Sequence, residues 1–481
     1  MRHTLILART CSLVLLLSSL CPLVVQAQDS QLTIKQLFGF GCDSDTKICL
    51  DGAQPNSLLQ SADGNFYGTT PLGGAGNQAA GTVFKITPGG QLTVLYAFVA
   101  DQNGKYPNGE LPGGLVEGND GFLYGTALLG GANGRGVVFK LSRTGVLGIL
   151  HSFCPPTNCG DGANPSNLLL GLDGNLYGGT FGTNITGGTL FRVTPSGSYT
   201  LLHNLNPTVE GPMTLGMTLA SDGNLYGTTL GGEEILTTLY RLTPSGQFAV
   251  LQTIRYGQEF VGPPMQASNG KLYGGLSRYE DQAEPAMFSS NLSGSNFENI
   301  VLSSLAYGDS PAYMTETSGA RLWGVLDSFG NFQNGGLVAT SPNGEQIQSI
   351  SFDGANGAFP DAPLVQASDG TLFGVAQFGG SVQQGDVASG AVFTLTPGLA
   401  PPQTFFVSFN PNRGKVGSKV MVHGVHFIGA TRVTFNGVSA SFQVLNAGNI
   451  LATVPTGATS GPIAVTNTGG TTTSTKNFTV E

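Results

Sequence analysis

Apolar and small polar residues alternate in short runs along most of this chain, and the runs are separated by turns rich in Gly, Pro and Asp. Period-two alternation bounded by such turns predicts strands. The first unit holds four of them: "SLLQS" (57–61), "NFYGTT" (65–70), "GTVFKIT" (81–87) and "QLTVLYAF" (91–98), termed a, b, c and d. Asp63-Gly64 lies between a and b. It is a two-residue hairpin signal, because Gly tolerates positive φ. "PGG" between c and d is also a tight turn. The plan returns with "TLFRVT", "PSG", "SYTLLHNL" and with "TLYRLT", "PSG", "QFAVLQTI".

The stretch "DGNFYGTT" (63–70) recurs as "DGFLYGTA", "DGNLYGGT" and "DGNLYGTT", then more loosely as "NGKLYGG", "ARLWGV" and "DGTLFGV". The glycine after the aromatic falls at Gly68, Gly125, Gly178, Gly227, Gly274, Gly324 and Gly374, at intervals of 57, 53, 49, 47, 50 and 50 residues. The aromatic persists as Tyr67, Tyr124, Tyr177, Tyr226, Tyr273, Trp323 and Phe373. Self-similarity at this period predicts a repeat architecture. Four antiparallel strands per repeat and no helix predict an all-β, seven-bladed β-propeller over residues 28–397. Gly68 and its equivalents are expected near the axis, where blades crowd. The seventh copy stops at Pro397 without a strand d, and residues 31–40, "QLTIKQLFGF", read as the missing one. They are expected to complete the last blade and leave no open edge.

In this strand order the a-to-b and c-to-d turns share one face and are short. The d-to-a and b-to-c connections share the other and are long, as in "GCDSDTKICLDGAQPN", "VADQNGKYPNGELPG" and "LLGGANGRG". Long loops on a rigid scaffold are where binding usually resides.

After a Pro-rich linker (398–403), residues 404–481 lose the repeat. Alternating Val, Phe and Thr with regular turn signals predict a small immunoglobulin-like β-sandwich. The letters "NPNRGKVGSKVMVHGVHF", "VTFNGVSASF" and "ILATVPTGATSGPIAVTN" resemble an IPT/TIG domain. The propeller repeats in turn resemble the GloVer tandem repeat of secreted and surface-anchored bacterial proteins, through "LYGTT…GG…G.G.VF" at 67–84 and 124–139. That resemblance implies an extracellular location and no established activity.

Composition supplies the address. Residues 1–27 combine a basic start, the apolar run "CSLVLLLSSLCPLVV" and small residues at Val25 and Ala27, the layout of a signal peptide cleaved after Ala27. The run is shorter than the ~20 residues of a spanning helix. Leu20 argues against lipid modification of Cys21, and no sorting tail is expected after the last domain. Arg2 and Arg9 leave with the leader, so 18 basic and 29 acidic residues remain, a net charge of −11. That argues against nucleic acid as a partner and suits a soluble extracellular monomer. The remaining cysteines, Cys42, Cys49, Cys154 and Cys159, are even in number. In an oxidising compartment they are expected to form disulfides. Three pairings are possible; the short separations favour Cys42–Cys49 and Cys154–Cys159, both in d-to-a loops.

Chemistry is sparse. His423 and His426 lie three apart on a predicted strand and would point to opposite faces, which disfavours a shared metal. His151 and His203 fall near the ends of d strands, without an assignable partner. The repeated Asp-Gly could suggest calcium, but one acid per turn is few ligands and the turn itself needs it. Glu233-Glu234 and Glu280-Asp281 fit neither a motif nor a common position. No catalytic, cofactor or metal residue is therefore assigned. The expectation is a secreted or surface binding or scaffold protein that recognises a glycan or protein with its long-loop face. A propeller hydrolase or lyase acting on polysaccharide is the alternative.

Overall fold

The computed structural model describes residues 32–481 except 77, 156–158, 182–186, 231–235, 255–257, 279–284, 303–309, 327–332 and 397. The expected leader and cleavage site, as well as Gln31, lie outside the described residues. Within them the chain is all strand and turn, and no helix is long and apolar enough to cross a membrane.

The first repeat folds as read. Ser57–Gln60, Phe66–Thr70, Ala79–Ile86 and Leu92–Val99 form one antiparallel sheet in the order a-b-c-d. Seven sheets among the described residues follow this plan, consistent with propeller blades. In the last, Val365–Gln366, Leu372–Phe378 and Asp386–Thr396 supply a, b and c, and Thr33–Asp43 lies on the outer side of Asp386–Thr396. Ile34 stands opposite Leu395 and Gln36 opposite Phe393. Both strands run further than the sequence suggested. Val387 and Ala388, expected in a loop, pair with Cys42 and Gly41. The disulfide from Cys42 to Cys49 staples this extension.

Both faces of each sheet are apolar, so each core is shared by two consecutive sheets. Tyr67 of the first packs with Leu123 and Phe139 of the second. Tyr124 packs with Leu176 and Phe191 of the third. The sequence of shared cores continues and then returns: Phe40, Phe373 and Val392 of the last sheet join Phe66 and Phe84 of the first. Phe66 and Phe373 meet with ring centroids 4.0 Å apart and planes tilted by 31°. Phe40 is fully buried, so burial holds the N-terminal strand as well as its hydrogen bonds.

Strand a is innermost. Leu59, Leu115, Leu169 and Met217, from four different sheets, line one cavity. The ruler glycine sits one strand further out, and crowding at the axis is not what excludes its side chain. It is paired with the aromatic of strand c in its own sheet: Gly68 with Phe84, Gly125 with Phe139, Gly178 with Phe191, Gly374 with Phe393. The ring lies over the glycine, so a Cβ on Gly125 would come within 2.5 Å of Phe139 Cζ. The sixth copy has Val338 at the aromatic position, and there Pro311 covers Gly324.

Residues 404–481 build two further sheets. Phe405–Asn410, Lys419–Val425, Asn449–Thr453 and Phe442–Asn446 face Gly470–Val480, Gly461–Asn467 and Arg432–Phe435. Val422, Phe427, Phe435, Ile450, Val465 and Phe478 fill the space between them. This unit is seated on the short a-to-b turns. Asn446 Nδ2 donates to Glu117 O at 3.2 Å and to Asn119 Oδ1 at 3.0 Å. Thr468 Oγ1 donates to Ser368 O at 3.1 Å, and in the segment leading into the unit Leu399 N donates to Gly370 O at 3.0 Å.

Gly125→Ala should lower unfolding free energy by about 1–3 kcal/mol, because the new methyl overpacks a rigid ring. Gly64→Ala meets no atom within 4 Å and carries only its φ of +81°, a cost of about 1–2 kcal/mol. Denaturant titration of both variants checks this: unchanged stability in Gly125→Ala contradicts the ring-over-glycine account.

Candidate binding face

The eight-letter repeat is a brace. Asp63 Oδ1 accepts Asn65 N at 3.0 Å, and Asp63 Oδ2 accepts the Tyr67 hydroxyl at 2.7 Å. The hydroxyl bond recurs from Tyr124 to Asp120 at 2.7 Å, from Tyr177 to Asp173 at 2.8 Å and from Tyr226 to Asp222 at 2.8 Å. Asn269 Nδ2 donates to Tyr273 Oη in the fifth copy, at 2.8 Å. Lys140 reaches Asp120 at 2.9 Å. Each carboxylate is thus occupied by its own turn, which accounts for the Asp without calcium. Burial and the Asp63 bond together push the Tyr67 hydroxyl up to about 12. The hydroxyls of Tyr124, Tyr177 and Tyr226 are raised for the same reasons.

A second device joins neighbouring turns on this side. The residue ending strand a grips the preceding sheet's turn. Ser61 Oγ and Ala62 N donate to Glu117 at 2.8 and 3.2 Å. Ser221 N donates to Gln266 Oε1 at 2.7 Å, Ser268 N to Glu316 Oε2 at 2.6 Å and Ser318 N to Gln366 Oε1 at 3.1 Å. Arg143 pairs with Glu117 and lies over the Tyr67 ring, 4.1 Å from its centroid. Burial pushes the Glu117 carboxyl up, and the Arg143 charge with the Ser61 and Ala62 bonds holds back only part of that. Leu170 and Leu219 replace the gripping residue in the third and fourth copies. They border a cavity of about 410 Å³ that Val407, Val425 and Ala447 of the C-terminal unit close over. The acids on this side are committed to structure, and the mouth is covered.

The long-loop side is organised differently. The structure joins Cys42 to Cys49 and Cys154 to Cys159. His151 Nε2 lies 2.9 Å from Asp161 Oδ2, and Asp161 Oδ1 accepts Cys154 N at 3.0 Å. His203 Nε2 lies 2.9 Å from Glu210 Oε2, which accepts Asn206 N at 2.8 Å. Each imidazole stacks on an aromatic of the next sheet, His151 on Tyr199 at 4.2 Å and His203 on Phe248 at 4.0 Å. The equivalent Tyr96 hydroxyl accepts Asn108 Nδ2 at 2.7 Å. One position in strand d thus ties three successive d-to-a loops. Reading the sequence left both histidines without partners. The available signal was their shared place in strand d, with an acid a few residues downstream.

These loops also clamp their neighbours. Tyr106 O accepts Gly109 N at 3.0 Å and Gly131 N at 2.8 Å, while Cys49 O accepts Gly52 N at 2.9 Å and Gly74 N at 2.8 Å. A Cβ on Gly130 would come within 2.6 Å of Tyr106 O, so the paired glycines of the b-to-c loops let two backbones meet. Between the loops of the second sheet and the Cys154–Cys159 bridge opens a cleft of about 810 Å³, lined among others by Lys105, Tyr106, Glu110 and Arg135. Burial pushes the Glu110 carboxyl up.

The other candidates do not converge. His423 ends up on Asn449 Oδ1 at 2.6 Å, and His426, beyond the strand end at φ +58°, on Gln403 O at 3.0 Å. Glu233, Glu234, Glu280 and Asp281 lie outside the described residues. Among the described residues no group of three or more His, Cys, Asp or Glu is placed to hold a metal.

Four-stranded antiparallel sheets recurring with one turn signature define a β-rich repeat protein with a propeller-like fold. The family model described as the Gloeobacter/Verrucomicrobia repeat matches residues 25–159, 54–260 and 231–443, and the chain belongs to that family. No curated protein matches it. Among solved structures it is similar to a fungal alcohol oxidase of the AA5 family in complex with copper (12% identity, 89% of this chain and 98% of that one, TM-score 0.48). It is also similar to a gluconolactonase from Xanthomonas campestris (12%, 76% and 98%, TM-score 0.38) and to a luciferin-regenerating enzyme (12%, 77% and 99%, TM-score 0.38). Scores this low carry nothing about activity.

The raised tyrosines set an alkaline limit. Burial and the Asp63 bond push the Tyr67 hydroxyl up to about 12 from the ordinary 10.0, so its stabilisation is present below the ordinary value and is lost as the pH climbs through the raised one. Tyrosinate absorbance of the folded chain should lag behind that of the urea-unfolded chain in this window and catch up in one step as the fold is lost. Coincident titration curves contradict the brace.

Proposed function

We propose that the seven sheets close into a seven-bladed β-propeller spanning residues 28–397, that 398–403 link it to an IPT/TIG module at 404–481, and that the mature chain acts outside the cell as a monomeric binding or scaffold protein. The cyclic succession of shared cores supports the ring. The disulfides and the apolar leader support the address. Recognition of a glycan or protein falls to the long-loop face.

One observation carries that choice of face. The C-terminal unit sits over the short-turn mouth, while the opposite loops are held by two disulfides, three side-chain ties and carbonyl clamps. Loops that are long yet pinned lose little entropy on binding. The acids of the short-turn side are taken by serines, backbone N–H groups and Arg143, which favours binding over acid–base hydrolysis there.

A panel of plant and bacterial polysaccharides, read for retention of the protein and for new reducing ends, tests this reading. Retention without cleavage is the expected result. New reducing ends or unsaturated products would establish the enzyme instead.

A further inference from the structure

The cleft of the second sheet has a chemistry of its own. Basic residues are few in this chain, and most of those near an acid are paired with it: Lys85 with Asp63, Lys140 with Asp120, Arg143 with Glu117, Lys271 with Glu298. Lys105 and Arg135 depart from this. Both are exposed at the cleft, and neither side chain has a hydrogen bond or ion pair among the described residues.

Their backbones are fixed all the same. Lys105 N donates to Asp101 Oδ1 at 3.0 Å, and Lys105 O accepts Asp101 N at 2.6 Å. Arg135 O accepts Asn164 N at 2.8 Å, and Arg135 bridges Gly130. Tyr106, next to Lys105 in the same lining, is held by its carbonyl clamp. Two acids matter here: Glu110 in the lining, and Asp101, whose carboxyl is held down by the backbone N–H groups of Lys105 and Asn103 and in part by the Lys105 charge. Asp101 has one oxygen engaged by its own turn, through Asn103 N and Lys105 N. Glu110 lines the cleft with a carboxyl that burial pushes up.

We propose that this cleft binds a saccharide bearing carboxylates, a uronic acid oligomer, with Arg135 and Lys105 on the carboxylates and Tyr106 beside the sugar. This rests on the long-loop face being the recognition face, and it names the ligand class and the residues. A volume near 810 Å³ suits a few sugar rings. Guanidinium and ammonium groups held on a fixed backbone suit carboxylates at a regular spacing. The tyrosine among them favours a sugar over an acidic peptide.

The test uses the full mature chain in titration calorimetry with oligogalacturonate, its methyl ester and polyglutamate. Oligogalacturonate should bind. Methyl esterification keeps the sugar and removes the charge, and should weaken binding about tenfold or more. Lys105→Ala with Arg135→Ala should do the same and leave Tm unchanged, because neither side chain supports the fold. Equal binding by the double variant or by the ester overturns the proposal, as does tighter binding of polyglutamate than of the sugar. Retention of neutral polysaccharides alone also overturns it while leaving the long-loop reading standing. No binding to any polysaccharide or to polyglutamate counts against both.

Discussion

A four-stranded sheet with two apolar faces cannot stand in water by itself. Each face must be covered, and in this chain it is covered by the next sheet of the same kind. The consequence is cyclic: any sheet at the end of a row would expose a face, and any strand at its rim an edge. The chain meets both demands at once by placing its first described strand on its last sheet. Phe40 then lies in the core between the last and first sheets, while the backbone from Thr33 to Asp43 pairs with Asp386–Thr396. The contact joins residues 363 apart in sequence, as between Thr33 and Thr396.

The repeated letters serve that arrangement residue by residue. Leu and Tyr of "LYG" point to opposite faces and enter two different cores. The tyrosine needs a partner for its hydroxyl, and the turn Asp four residues earlier provides it. The glycine makes room for the ring of strand c, which lies over it on the same face of the sheet. Where the aromatic is lost, as at Val338, a proline from the preceding segment fills the same space. A motif of this length therefore records local packing and is poor evidence for a ligand.

Strand identity, the hairpin turns, the missing seventh strand d and the cysteine spacing were legible because each depends on periodicity or on near neighbours. The longer pairing of Thr33–Asp43 was not, since "GDVASG" reads as a loop until Cys42 is known to lie opposite. The partners of His151 and His203 were hidden because the acids stand in irregular loops of differing length. The Gln and Glu grips were hidden for another reason: each crosses from one sheet to the turn before it, a relation that no pattern within a repeat expresses. The seat of the C-terminal unit depends on Asn446, at the end of its strand, and Thr468, in an ordinary turn. The cleft was hidden because Lys105 and Arg135 stand in loops of different type, one joining d to a and one joining b to c, which only the fold brings to one lining.

Closure of the row of sheets by the N-terminal strand is the claim on which the rest stands. Thr33 and Thr396 face each other with hydroxyls 3.2 Å apart, at an exposed rim. Replacing both with cysteine and mapping disulfides in unreduced peptides tests the closure directly. The account predicts a 33–396 crosslink in the folded, oxidised chain alongside the bridges Cys42–Cys49 and Cys154–Cys159. Free thiols at both positions, or a bridge from residue 33 to any other strand, would contradict it.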